Sequence, residues 1–415
     1  MSKNIIEELK WRGLTKQITS EERILEAEKE HSGVYCGFDP TADSLHVGHL
    51  IPITLLKRFQ DFGFNPIALI GGGTGMIGDP SFKSQERVLQ TNEQVKENSD
   101  AITKQLKGII PGVDFANNYE WLGKLSLLDF LRDVGKEYTL GYLLAKESIA
   151  TRIETGLSVT EFMYTILQGY DFYQLYVNKN CHIQVGGSDQ WGNITSGTDL
   201  IGSKVGRDKT KAAGLTINLL TKKDGKKFGK TESGAVWLDA NKTSVYEFYQ
   251  FWFNQDDEDA YRMLKFFTFL TEDEINILQK QAIGDPKARI MQHKLAEEMT
   301  AFVHGKDGLQ QALNITNGFF QGSLKDLSDK EIEVAFKAIP NGEITENETL
   351  IDVLVASKAA SSKREAREFL NAGAITINDE VLKDENLAIT KAFALDNKHV
   401  IIKRGKRKFF GAEFK

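Results

Sequence analysis

The sequence predicts an α/β protein: a parallel sheet flanked by helices, then a long helical stretch and a small basic module at the C-terminal end. Three observations carry that expectation. Val34 to Phe38 reads as a buried strand, Leu45 to about Phe62 as a helix, and Ile67 to Ile70 as a second apolar strand. Strand, helix, strand in this order is a βαβ unit, which feeds a parallel sheet. Further apolar strand-like runs follow at His182 to Val185 and Leu215 to Leu220. Residues 351–415 hold 13 Lys and Arg against 9 Asp and Glu, while the rest of the chain is acidic, at −10. Such asymmetry sets a basic module apart from an acidic body. On charge alone, a solvated tail is an equal reading of the same residues.

The bulk composition fits two or three folded domains. The chain has 415 residues, 41% of them hydrophobic, and only 7 prolines, enough apolar material for a real core. Cys36 and Cys181 lie in apolar strand-like runs, which gives no disulfide framework and suits a reducing cytoplasm. The first ten residues are polar, and no apolar run approaches the length of a membrane span, so neither a signal peptide nor a span is expected.

Taken in order, residues 5 to 31 read as a charged amphipathic helical lead-in. After the first strand, Asp39-Pro40 and Asp43-Ser44 set a turn, and Asp43 or Ser44 is the expected N-cap of the helix. His46 and His49 then share a face of its first turn, beside Gly48, where the helix dipole and unpaired N–H groups favour an anion. Gly71 to Gly75 and Gly78-Asp79-Pro80 follow the second strand, at the strand ends where parallel sheets bind ligands. The G-x-G-x-x-G spacing from Gly73 to Gly78 is no dinucleotide fingerprint, because it follows the second strand and Pro80 biases Asp79 away from helical geometry.

Residues 84 to 110 read as a polar helix and Val113 to Phe115 as a short strand. Tyr119 to Ile149 reads as helical and rich in Leu, Phe and Tyr, either covering the sheet or forming a subunit interface. The helix Thr160 to Asn178 places Tyr164, Gln168 and Asp171 at i, i+4 and i+7, a polar stripe on an apolar, aromatic helix. Buried polar groups need partners, so the stripe serves either core hydrogen bonding or a polar substrate. Gly186 to Asn193 repeats the pattern of buried strand, glycines and capped helix start, a turn that can hold a ribose or phosphate. Five lysines fall within the nine residues 222–230, either a solvated loop or a lid over outer phosphates. Residues 244 to 338 read as mostly helical without a catalytic constellation, and Ile339 to Thr349 has linker composition. The final unit carries a basic helix and a basic terminus suited to RNA backbone contact through Lys363, Arg364, Arg367, Lys403, Arg404, Lys406, Arg407 and Lys408.

Several of these segments together resemble the bacterial tyrosyl-tRNA synthetases, a family of class I aminoacyl-tRNA synthetases. His46-Val47-Gly48-His49 matches the HIGH signature and Lys227-Phe228-Gly229-Lys230-Thr231 the KMSKS signature. Tyr164-x-x-x-Gln168-x-x-Asp171 and Gly186 to Asn193 match as well, and the tail resembles an S4-type RNA-binding module. The likeness covers nearly the whole chain and is weakest over 245–340. It implies a Rossmann-like catalytic domain over 1–220, with 119–149 a candidate dimer interface. It further implies the signature lysine loop and a helical anticodon-side domain over 221–338, a linker over 339–349 and an S4-like domain over 350–415.

The resemblance implies a two-step reaction: ATP activates L-tyrosine to tyrosyl-adenylate with release of pyrophosphate, and the 3′-terminal adenosine of tRNA(Tyr) then takes the tyrosyl group. Catalysis would be positioning and charge stabilisation, since the substrate carboxylate is the nucleophile. His46, His49, Lys227, Lys230 and Thr231 would manage the phosphates, with Lys83 and Arg87 assisting. Tyr35 and Asp171 would read the phenolic hydroxyl; Asp79, Tyr164 and Gln168 would take the α-ammonium, with Gln190 also at the tyrosine. Cys36, Gly37, Asp39, Thr41, Gly48, Gly187 and Asp189 would line the adenylate. Rejection of phenylalanine by about 10⁴–10⁵ is a measured property of this enzyme class rather than an inference from these residues. Mg²⁺ would arrive with ATP, with no protein-bound metal or organic cofactor, and the protein would be a cytoplasmic homodimer. Pro52, within the first turns after His49, offers packing but no hydrogen bond and is not expected to abolish activity. The rival readings are a tryptophan enzyme of the same fold, a nucleotidylyltransferase sharing the H-x-G-H start, and a non-catalytic RNA-binding protein.

Overall fold

In the first unit, near-continuous apolar runs place the strands. Val34, Tyr35, Cys36 and Phe38 are buried on β2 (Gly33–Phe38), and Ile67 to Ile70 are buried on β3 (Asn65–Ile70), the pattern of strands covered on both faces. The computed structural model describes residues 3–79, 81, 90–153, 156–218, 228, 230–231, 234–378 and 380–415. β2 pairs parallel with β3 on one side and with β5 (Cys181–Gly187) on the other. β3 continues to β4 (Asp114–Asn117) and β5 to β6 (Ala213–Ile217), both parallel, and β1 (Thr15–Ile18) closes the β6 edge antiparallel. The order β1-β6-β5-β2-β3-β4 reverses between β2 and β5, and the crevice at the carboxyl ends of two such strands is where these sheets take ligands.

The lead-in expected as one helical stretch is three elements: α1 (Ile5–Arg12), β1 and α2 (Glu21–Lys29). Gly13, at φ 73, ends α1, and the Ser20 hydroxyl caps α2. The helix after β2, α3 (Leu50–Asp61), starts five residues later than expected, and neither Asp43 nor Ser44 caps it. The cause is strand-like pairing: Leu238 N–H donates to the Leu45 carbonyl (2.8 Å) and Val47 N–H to that of Val236 (2.9 Å), with His46 bridged to Trp237. Residues 45–47 are thereby held extended, and the helix begins only after a 3₁₀ turn over Val47–His49.

α4 (Asn92–Ile109) is capped by Thr91, and the earlier part of the expected helix lies outside the described residues. Residues 119–153 form four short helices, α5 (Tyr119–Leu122), α6 (Leu127–Asp133), α7 (Leu140–Leu144) and α8 (Glu147–Ile153), rather than one helical run. A capping box of Ser158 and Glu161 starts α9 (Val159–Lys179), which packs against α10 (Trp191–Val205).

The chain divides into one unit of residues 1–239 and 256–291 and a second of residues 240–255 and 292–415. The second unit thus includes α11 (Val245–Phe253), whereas α12 (Asp257–Phe267) belongs to the first. Two buried arginines fasten α12. Arg12 of α1 donates to the carbonyls of Lys265 (2.9 Å), Thr268 (3.0 Å) and Leu270 (2.6 Å), and Arg58 of α3 to those of Phe266 (3.4 Å) and Thr268 (3.1 Å). All but that of Leu270 are carbonyls that the end of α12 leaves without intrahelical donors. Burial pushes the Arg58 guanidinium down to about 9, with the neighbouring Arg12 charge adding to it and Glu8 opposing.

In the second unit, Tyr246, Ile315, Phe319, Leu324 and Leu327 share one apolar cluster with Ile401 and Phe409 of the C-terminal sheet. That sheet runs Glu380–Val381, Ile375–Ile377, His399–Arg404, Lys408–Phe414, Asn341–Ile344. Its last strand lies in the expected linker and pairs parallel with Lys408–Phe414. No described helix is long and apolar enough to cross a membrane.

Because Arg58 is buried and ties two carbonyls of the α12 end, Arg58→Ala is expected to lower stability by about 3 kcal/mol. Urea unfolding checks this; an unchanged midpoint would mean that the α12 end is held without it.

Candidate active site

A cavity of about 290 Å³ opens at the carboxyl ends of β2 and β5, at the reversal of strand order. Tyr35, Asp79, Tyr164, Gln168, Asp171 and Gln190 all line it, although they come from distant parts of the chain. So do Cys36, Gly37, Asp39, Thr41, Gly48, His49, Gly187 and Asp189.

The deep end is built on Tyr35 and Asp171. Tyr35 on β2 is buried against Phe172, its hydroxyl has no hydrogen-bond partner among the described residues, and burial pushes its phenol well above the usual range. Asp171 on α9 accepts from Trp121 Nε1 (2.7 Å) on one oxygen and from Asn118 Nδ2 (2.9 Å) on the other. Burial still pushes this carboxyl up to about 7, against both donors. Gln184 on β5 also lines the cavity, 2% exposed, with its Oε1 unpartnered among the described residues. Each unpaired buried polar group costs about 1–3 kcal/mol, so a ligand carrying a hydroxyl relieves a cost already present.

Along the wall, polar groups interlock. Asn118 Nδ2 also donates to Thr74 Oγ1 (2.9 Å), the Thr74 hydroxyl to Asp39 Oδ1 (3.0 Å), and the Tyr164 hydroxyl to Asp39 Oδ2 (3.0 Å). A Cβ on Gly71 would lie 2.2 Å from Asp39 Oδ1, so only glycine leaves the carboxylate room. Nearby, Asp79 accepts from Gln190 Nε2 (2.7 Å) and Ser81 N–H (3.0 Å), and Gln190 accepts from Asn193 Nδ2 (3.1 Å). Burial, and then the charges of Asp39 and Asp79, hold the Tyr164 phenol protonated. Three carboxylates around this section make it favourable for a cation.

At the mouth, the imidazoles cap the turn that the expected Asp43 or Ser44 does not. His46 Nδ1 accepts from Gly48 N–H (3.0 Å) and His49 Nδ1 from His46 N–H (3.2 Å), with the rings 4.1 Å apart. A neutral ring that accepts at Nδ1 carries its proton on Nε2 and is a donor there. His49 lines the cavity, whereas His46 lies behind it, edge-on to Trp237 at 6.1 Å. Beside them, a Cβ on Gly37 would meet nothing within 4 Å, so β2 presents open backbone to a ligand. Burial pushes the Cys36 thiol up to about 12, which leaves no thiolate nucleophile. Pro52 lines the same end from the first turn of α3.

Lys83, Arg87 and Lys227 lie outside the described residues; of Lys230 and Thr231 the backbone is described, paired with Ala235 and Gly234. The eight basic residues expected to contact RNA do not form one equivalent set. Lys363, Arg364 and Arg367 sit on exposed ion pairs with Asp352, Glu368 and Glu385. Arg404 lies over the rings of Phe369 and Phe410 and donates to the Ala359 carbonyl, a packing role, and Lys403 lies over Phe409. Lys406, Arg407 and Lys408 are exposed at the turn between the last two strands.

Sequence reasoning missed Gln184, Asn118, Trp121 and Thr74. Gln184 was visible as the polar member of a buried strand run. Asn118, Trp121 and Thr74 follow strand ends in segments without periodicity, and nothing in their spacing marks them. Removing one donor by Asn118→Ala is expected to raise the Asp171 titration above that of the unmodified protein, since the lost hydrogen bond favoured the charged form. Carbon-13 NMR of labelled aspartate checks this; an unmoved titration would mean that the Asn118 contact does not hold the carboxylate.

Residues 27–321 match the family described as tRNA synthetases class I (W and Y), and residues 331–412 match the tyrosine–tRNA ligase SYY-like C-terminal domain. The chain is 60% identical over 412 residues to a tyrosine–tRNA ligase of Mesoplasma florum, spanning 99% of this chain and 100% of that protein. It is 52% identical to one of Staphylococcus haemolyticus over the full length of both. Among solved structures, it resembles a C-terminally truncated Aspergillus nidulans mitochondrial tyrosyl-tRNA synthetase, with a TM-score of 0.68 and 32% identity over 77% of this chain and 94% of that one.

Proposed function

We propose how this site works from one premise: the chain belongs to the class I tRNA synthetases for tryptophan and tyrosine, and its reaction joins tyrosine to tRNA at the expense of ATP. The observation that supports the residue roles is the pairing of Tyr35 and Asp171 at the closed end of a cavity whose open end carries His49 and Gly37. The tyrosine side chain enters first. Its phenolic hydroxyl donates to the Asp171 carboxylate and accepts from Tyr35, which supplies the partner that Tyr35 lacks. Asp79, Tyr164 and Gln168, with Asp39 behind Tyr164, hold the α-ammonium through two carboxylates and the neutral oxygens of Tyr164 and Gln168.

The tyrosine carboxylate is then aimed at the α-phosphorus of ATP. A carboxylate oxygen bonds to that phosphorus while the bridging oxygen to the β-phosphate leaves with pyrophosphate. His49 donates to the phosphates from the histidine turn, His46 fixes the turn's shape, and Lys227, Lys230 and Thr231 stabilise the charge that gathers on the leaving pyrophosphate. Mg²⁺ enters with ATP as part of the substrate. In the second step, the terminal adenosine hydroxyl of tRNA(Tyr) attacks the tyrosyl carbonyl and AMP leaves. Lys406, Arg407 and Lys408 are the basic side chains best placed for RNA phosphates, and the protein works in the cytoplasm.

Exchange of labelled pyrophosphate into ATP, run with each amino acid, tests this directly. Tyrosine alone is expected to support it; exchange with tryptophan instead, or with none, overturns the reading. Because burial pushes the Asp171 carboxyl up to about 7 in the free site, and its charged form is the stronger acceptor for the phenolic hydroxyl, kcat/KM for tyrosine is expected to fall as pH drops through about 7. Asp171→Asn should flatten that limb and erode discrimination against phenylalanine; an unchanged profile would remove Asp171 from recognition.

The exposed face of α6 and α7 suits a second copy of the chain. Leu127, Leu128, Leu131 and Leu140 are 50–77% exposed there, beside an apolar groove that includes Met76, Leu122 and Phe130. Contiguous apolar surface of this kind marks an interface, and twofold pairing would cover it on both subunits. Sedimentation should report a dimer that Leu128→Glu splits; a monomeric unmodified protein would refute the assignment.

A further inference from the structure

We infer that Thr165 and Asn193 are positioning residues for the amino acid: a one-way chain of hydrogen bonds from α9, through them and Gln190, sets the Asp79 carboxylate for the α-ammonium. The inference rests on the reading that Asp79 holds that ammonium, and it adds the device that aims the carboxylate.

The Thr165 hydroxyl on α9 donates to Asn193 Oδ1 (2.8 Å), Asn193 Nδ2 on α10 donates to Gln190 Oε1 (3.1 Å), and Gln190 Nε2 donates to Asp79 Oδ2 (2.7 Å). The direction is fixed from the far end. An ionised carboxylate only accepts, so Gln190 must turn its amide nitrogen to Asp79 and its carbonyl back. Asn193 must then give its own amide nitrogen to that carbonyl, which leaves its oxygen for the Thr165 hydroxyl. Reversing either amide would set two acceptors face to face.

The chain is set in packed structure. Thr165 and Asn193 are each 2% exposed, so a group stripped of its partner there has no water to turn to. The stem of Gln190 lies on β5: a Cβ on Gly186 would stand 3.2 Å from Gln190 Cβ and 3.4 Å from its Cγ. What is left to choose is the rotation of the terminal amide, a broad, roughly two-fold torsion, and Asn193 holds the end that meets Asp79. Tyr164, the residue before Thr165, donates to Asp39 Oδ2 (3.0 Å). One turn of α9 thus addresses both carboxylates around the ammonium, Asp39 directly and Asp79 through the chain. A donor to a charged acceptor is strengthened when it is itself a link in such a chain.

The test uses the full-length chain with Asn193→Ala, Thr165→Val and Thr165→Ser, and two competitors of tyrosine in the exchange reaction. Tyramine keeps the ammonium and lacks the carboxylate; desaminotyrosine keeps the carboxylate and lacks the ammonium. Asn193→Ala is expected to raise KM for tyrosine by about 10-fold, and the tyramine inhibition constant in parallel. Its kcat and its desaminotyrosine inhibition constant should stay within about twofold of the unmodified protein. Thr165→Val, nearly the same shape without the hydroxyl, should move the tyrosine and tyramine constants the same way by about threefold, and Thr165→Ser should restore them. Thr165→Val combined with Asn193→Ala should add nothing to Asn193→Ala alone, because both cut one chain. Unchanged tyramine inhibition in Asn193→Ala overturns the inference, as does equal weakening of both competitors, which would mark a general packing role. Asp79→Asn tests the premise separately. If it leaves the balance between tyramine and desaminotyrosine unchanged, Asp79 does not hold the ammonium, and the inference falls with that reading whatever Asn193→Ala does.

Discussion

Parallel pairing on both sides of β2 is the constraint from which the site follows. A strand bonded to β3 on one flank and β5 on the other cannot shift register without breaking two ladders. Its side chains are therefore fixed points: Tyr35 below, Gly37 open at the mouth, Asp39 just past the strand end. The chain leaves β2 in one direction through β3 and β4 and returns to its other side only at β5. A gap remains where the two halves diverge, and both halves contribute to its walls. Residues from positions 35 to 190 meet there because topology brings strand ends together, not because sequence brings them near.

Charge is graded along that gap. Asp39 and Asp79 occupy the middle and Asp171 the deep end, with neutral donors on each: Tyr164 and Thr74 on Asp39, Gln190 on Asp79, Asn118 and Trp121 on Asp171. Imidazoles occupy the mouth. An amino acid has its ammonium and an activating nucleotide has its phosphates, and the gradient orients both before any closure. At Asp171 the two donors, Asn118 and Trp121, are neutral, so they orient the carboxylate without cancelling its negative charge.

Much of this was legible in the sequence where periodicity or a local motif spoke. The apolar runs of β2, β3 and β5 and the i, i+4, i+7 stripe of α9 fell where they were read. What the sequence hid was long-range. Nothing near Leu45 announces that Val236 to Leu238 will hold it extended, so the helix start was placed five residues early and its cap given to the wrong side chains. β1 was hidden for the same reason: Thr15 to Ile18 is strand only because β6 offers an edge. Asn118 and Trp121 earn their place through a carboxylate some fifty residues away. Arg404, legible as a cation for RNA, is drawn inward by Phe369 and Phe410, two rings that no charge count reveals.

The strand Asn341–Ile344 joins helical and basic parts of the second unit, and it does so as a bonded member of the C-terminal sheet rather than as slack chain. Ile401 and Phe409 reach back from that sheet into the cluster formed with Phe319 and Leu327. The separation between the helical face and the basic hairpin is therefore a ruler graduated in hydrogen-bond register. A residue inserted at that join cannot lengthen it smoothly; it must be expelled as a bulge or flip the strand's faces. Whatever spans those two surfaces is measured against a fixed length, and variation among partners has to be accommodated by the partner.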